Sequence, residues 1–175
     1  MTNAHSTDLY TIGKGILQFD RNDDAGLPTG LRDLGNAPNF ALVPSVETLD
    51  HFSSREGLKK KDKTINLSVG MTVKFTLDEY DINNLAMALL GEVSGGNLIN
   101  LLASGQIEGR LVFIGHPAAG PAYRVTLWNV QLKPTSEVPF ISDEWGKIDF
   151  EGTVQSDITA HPTQEYGTIE EIIAS

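Results

Sequence analysis

The chain has 175 residues, no cysteine and a formal net charge of -10. That length suits one domain able to bury about 70% of its unfolded surface in a single core, and the lack of cysteine excludes disulfides, thiolate metal sites and a thiol nucleophile. A net acidic surface disfavours gripping duplex DNA through its phosphates, and apolar runs of only a few residues, behind an N-terminus with no basic or apolar leader region, argue against a signal peptide or membrane span.

In chain order, residues 1–9 form an N-terminal segment expected to be flexible, and Gly13-Lys14-Gly15 is only a fragment of a phosphate loop that leads into a strand, Gly15 to Asp20. Asp23 to Asn36 reads as a loop. Phe40 to Leu49 is the next strand, and its Pro44 suits a sheet edge or a bend. Asp50 to Lys63 reads as a long polar loop. Within it Arg55, Lys59, Lys60, Lys61 and Lys63 face only Glu56 and Asp62, whereas from Pro134 to Ser175 nine acidic residues face Lys147 alone. Either the two ends of the fold differ in sign, or both stretches are solvated surface.

The strongest pattern is Thr64 to Leu77. Ile65, Leu67, Val69, Met71, Val73, Phe75 and Leu77 alternate with polar or small residues, which predicts a half-buried antiparallel strand. At about 3.4 Å per residue it spans about 45 Å, more than twice the usual length, with Gly70 a candidate bulge. The period then changes to 3.6. Ile82, Leu85, Ala86 and Leu89 form one stripe of a helix from Asp78 to Leu90, capped by Asp78 or by a Thr76/Glu79 box and closed by Gly91 in a left-handed conformation. Leu98 to Ala103 is taken as a short helical segment.

Gln106 to Ile114 and Tyr123 to Leu132 flank the turn-rich segment HPAAGP as a hairpin. In Gly146 to Asp157, Ile148, Phe150 and Val154 point inward. Lys147, Asp149, Glu151, Thr153, Gln155 and Asp157 point outward. The tail from 159 to 175 is expected to be flexible.

Chemistry is hard to find. His5, His51, His116 and His161 are isolated, with no second ligand at metal spacing, so neither a metal site nor another cofactor is expected. There is no G-x-S-x-G elbow, and adjacent carboxylates such as Asp23/Asp24, Asp143/Glu144 and Glu170/Glu171 read as solvated pairs. No catalytic residue is assigned. Trp128, among Val125, Leu127 and Val130, is expected in the core, and Trp145 lies in a loop.

Whole phrases of the sequence resemble the major tail tube proteins of siphophages, the phages with long non-contractile tails. The run LDHFSSREGLKKKDKTINL followed by VKFTLDEYDINNLAMALLG is similar to the family's long loop, sheet strand and packed helix, WGKIDFEGTVQSD to a late strand, and GKGILQFD to an N-terminal strand. The likeness covers roughly Tyr10 to Asp157 and leaves out the tail. It implies a mainly β protein with one principal helix (α+β), a single antiparallel sandwich or barrel-like domain with a flanking helix and a long inter-ring loop.

It further implies a structural virion protein, not an enzyme, made in the host cytoplasm. Hexameric rings would stack head to tail into a tube that conducts double-stranded DNA during ejection without binding it specifically, with tape-measure, tail-tip and terminator proteins as partners. On this resemblance Arg55, Lys59, Lys60, Lys61 and Lys63 are candidates for ring stacking. Asp149 and Glu151 are candidates for the lumen, in competition with the Thr-rich face of Thr64 to Thr76. A secretion-system tube protein or a carbohydrate-binding β-sandwich are the alternatives.

Overall fold

Alternating strands that each offer one apolar face must pair and then cover that face, and the computed structural model, which describes residues 5–173, shows how they do so. After a 3₁₀ turn at Thr7–Leu9, the strands are β1 (Gly15–Arg21), β2 (Arg32–Asp33), β3 (Asn39–Ser53) and β4 (Lys60–Leu77). The helix α1 (Ile82–Ala88) follows, then β5 (Glu92–Ser94), β6 (Leu98–Asn100), β7 (Ile107–Gly115), β8 (Ala122–Pro134), β9 (Ile148–Val154) and β10 (Gly167–Ile172). Eight strands form one antiparallel sheet in the order β2-β1-β7-β8-β9-β4-β3, with β10 also on β8, and β5 pairs with β6.

The sheet curls over its own apolar face. Phe40 of β3 stacks on Phe113 of β7 with ring centroids 5.0 Å apart, although β8, β9 and β4 lie between those strands in the sheet. The two ends, β2 and β3, do not pair with each other, so among the described residues the sheet is not a closed barrel. Inside the curl Phe75 and Phe150 stack at 5.1 Å among Leu17, Phe19, Leu111, Val130 and Ile148, all buried. Each such side chain contributes about 1.5–3 kcal/mol of transfer free energy. Gly152 takes an inward position of β9 without a side chain. A Cβ there would come within 2.6 Å of Val130 and 2.7 Å of Val73, so the glycine lets three strands close on one another.

The helix is shorter than the sequence predicts and turned differently. Its N-cap is Asp81, whose carboxylate accepts from the Asn83 amide at 3.0 Å, while Asp78 and Glu79 are drawn away to Asn36. Buried residues are Asn84, Ala86, Met87 and Ala88. Ala86 of the expected stripe is among them and Leu85 packs on the core margin, but Ile82 and Leu89 stay half-exposed. The cause is polar. Asn84 donates to the Leu34 carbonyl at 2.9 Å and accepts from Arg32 at 2.9 Å, which rotates the helix to face the β1–β2 margin. Burial pushes the Arg32 pKa down, against the pull of Asp81 and Asp33.

Three further expectations change. Leu90, not Gly91, takes the left-handed conformation after the helix (φ 50°), and Gly91 is small because β6 crosses it, a Cβ meeting Ile99 at 2.6 Å. Leu98 to Ala103 is no helix, since Leu98–Asn100 pairs with β5 across the Gly95-Gly96 turn. The tail is not loose over its described part. Gly167–Ile172 is strand β10 on β8, while residues 1–4 and 174–175 lie outside the described residues.

Candidate assembly surface

The most exposed feature of the fold is an arm. β4 pairs with β9 only from Thr72 to Leu77, and from Lys60 to Met71 its one partner is β3. At about 3.4 Å per residue that ribbon is about 40 Å long. The expected loop from Asp50 to Lys63 is therefore mostly strand, reduced to a turn between Ser53 and Lys60. Cross-strand bonds hold the ribbon: Thr64 donates to Asp50 at 2.7 Å, Ser68 to Glu47 at 3.1 Å, and Lys61 pairs with Asp50 at 2.6 Å. His51 meets Asp62 at 2.6 Å. Lys61 and Thr64 together hold the Asp50 carboxyl below its usual range.

Two register shifts, at which Leu67 and Asp62 have no residue opposite them in the β3 ladder, change what each face carries. Residues directly opposite share a face. Val46 and Val69 therefore lie on the core side and Leu49 and Ile65 on the other, and all four are exposed. With Phe52 on the core side and Leu58, 87% exposed, at the turn, the arm shows apolar surface on both faces. A lone two-stranded ribbon is marginal in water, and apolar exposure on this scale marks an interaction surface. The basic residues collect at its far end. Arg55 and Lys59 sit in the turn, and Lys60 and Lys63 are exposed on β4. Lys61 is engaged by Asp50.

The two sequence candidates for a polar wall prove to be one surface. Thr76 lies opposite Asp149, Lys74 opposite Glu151 and Thr72 opposite Thr153. Thr76 donates to Asp149 at 2.6 Å. The Thr-rich face does not run unbroken from Thr64, because the shift at Leu67 sends Thr64 and Asn66 to the other side. Glu151 stands between Lys74, 3.8 Å away, and Lys133 on β8, so this surface balances its charges instead of being uniformly acidic. It continues through a half-buried polar network in which Asn129 donates to Glu108 at 2.7 Å and Gln155 donates to Gln131 at 3.0 Å. The sequence concealed that network, since its members come from β7, β8 and the residue that follows β9.

Elsewhere the groups are scattered. An open cleft of about 850 Å³ is lined by residues that include Arg21, Asp23, Asp24, Glu92 and Glu108. Among the described residues no three His, Asp or Glu side chains gather as metal ligands, and no helix is long and apolar enough to cross a membrane. Trp128 is not a core residue as expected. It is half-buried beside a register shift, stacks on His161 at 3.8 Å and donates to the Gln164 carbonyl at 2.7 Å, pinning the chain before β10.

Residues 10–98, which hold β1, the arm and α1, match the profile of a family described as "Protein of unknown function UCP028589". The chain belongs to this family. The matched stretch begins before β1 and ends at the first residue of β6, so the arm and the helix fall within it, whereas β7 to β10 lie beyond. No curated protein matches the chain.

Proposed function

We propose that this protein is a structural, non-catalytic subunit that assembles with copies of itself into stacked rings, as a phage tail tube through which DNA passes. The observation that carries the reading is the arm: a 40 Å ribbon, by the estimate of about 3.4 Å per residue, apolar on both faces and basic at its end, has no reason to persist unless another surface covers it. The curled sheet supplies a second support, since its unjoined ends leave edges that ring closure between subunits would remove. The sandwich or barrel-like tube fold, the hexamer and the virion location belong to this same reading, as do DNA passage and the tape-measure, tail-tip and terminator partners. A tube protein of a secretion system would use the same surfaces.

Sedimentation velocity over a concentration series tests self-assembly. Species many times the 19.0 kDa of the chain are expected. A monomer at every concentration would overturn the proposal. One observation favours the carbohydrate-binding alternative: Trp145 is 93% exposed and borders a cavity of about 280 Å³ with Tyr80, Asp78 and Glu144. Quenching of tryptophan fluorescence by glycans, lost in Trp145→Ala, would support it, and an unresponsive monomer would count against both.

A further inference from the structure

The geometry points to a specific joint between copies: the open edge of the β4 arm in one subunit pairs, antiparallel, with the open edge of β10 in the next. This inference rests on the assembly reading and gives it a contact surface. Among the described residues β10 pairs with β8 alone, and the Lys60–Met71 stretch of β4 with β3 alone, so each strand presents one side of unpaired backbone N–H and C=O groups. Unpaired edges are templates for strand addition, the main chain giving affinity and the side chains the choice of partner.

The side chains choose these two edges for each other. β4 enters the ribbon through Lys60, Lys61 and Lys63, while β10 carries Glu170 and Glu171, and no Lys or Arg lies between Gln155 and Ile173. The outer edge of β3, the other open edge of the arm, carries Glu47 and Asp50, which would repel β10. Apolar surface also matches. Ile169 is 61% exposed and Ile173 is 83% exposed, against 45% for Ile65 and 53% for Leu67. The antiparallel register that sets Glu171 opposite Lys63 also sets Ile169 opposite Ile65. A β4 edge meeting a different β10 edge makes a head-to-tail contact that repeats from copy to copy, and like-charge alternatives are disfavoured.

The chain has no cysteine, so engineered thiols report on the joint without background. Ile65→Cys and Ile169→Cys, made as separate full-length variants, are mixed under mild oxidation. Opposed positions of a strand pair lie within disulfide reach, so a mixed disulfide between the two variants is expected in excess over either symmetrical one. Glu170→Lys with Glu171→Lys should abolish it, and adding Lys60→Glu with Lys63→Glu to the partner should restore it. Assemblies that sediment normally but show no excess mixed disulfide, even with Cys moved two residues either way along β4, would overturn this joint and leave the assembly reading standing. Absence of any assembly would overturn both. A bridge that forms only within single molecules of the Ile65→Cys/Ile169→Cys double variant would also overturn it, by showing that the two edges of one chain close on each other.

Discussion

Gly152 and Asp50 show how single residues set the limits of this fold. Gly152 leaves room for Val73, Val130 and Leu132 to meet, so Gly152→Ala adds a methyl where none fits. We expect it to lower stability by about 1–3 kcal/mol, read as a lower urea midpoint at unchanged slope. Asp50 acts outside the core. Its carboxyl is held below the ordinary value by Lys61 and Thr64, so the ionised form is favoured in the folded arm. A depressed folded value contributes stability that is present above the unfolded pKa, about 3.9, and lost as pH falls through the folded one. Amide exchange in the arm should therefore speed up below about pH 4 beyond its intrinsic pH dependence. Asp50→Asn should show no such acid response, and an equal response in both proteins would refute the link.

At the scale of elements, the helix and the arm behave differently. Met87 is buried in the core cluster and Ile82 is half-exposed, so Met87→Ala should cost about 2–5 kcal/mol and Ile82→Ala clearly less. Thermal or urea melts of the two variants check the order, and its reversal would restore the stripe read from the sequence. Leu49→Lys with Ile65→Lys charges the cross-strand pair on the outer face of the arm, where neither side chain supports the core. Monomer stability should change little, within about 0.5 kcal/mol per site, while assembly is lost. Unimpaired assembly would remove that face from the contact.

These two elements also show what the sequence made legible. The inward residues of β9 were readable because Ile148, Phe150 and Val154 keep strict alternation. The strands of the arm were readable at Phe40 to Leu49 and Thr64 to Leu77, but not their extension into the expected loop, because a run of lysines looks like a loop when no neighbour strand is visible, and the alternation runs through Leu67 without showing the shift of register there. The helix frame was misread for a related reason. Its orientation is set by Asn84, a buried polar residue whose bonds to Leu34 and Arg32 come from distant parts of the chain. Periodicity reports apolar stripes and is blind to such bonds. The polar wall was half legible: the outward face of β9 and that of β4 from Thr72 to Thr76 were read correctly, Thr64 and Asn66 were not, and only the β4–β9 register shows that the two candidates are one surface.

At the scale of the whole molecule, the curled sheet, the projecting arm and the acidic β10 edge leave open surfaces of opposite sign. Open, unlike surfaces produce rings if the rotation closes and filaments if it does not. The balanced Lys74–Glu151–Lys133 row would give a lumen wall that offers a polyanion few free cations to hold it. All of this depends on the chain assembling with itself. Negative-stain electron microscopy of the purified full-length protein, over a series of concentrations at low and moderate salt, measures that directly. Rings with a central channel that stack into tubes as concentration rises are expected. Isolated particles of single-chain size in every condition would contradict self-assembly.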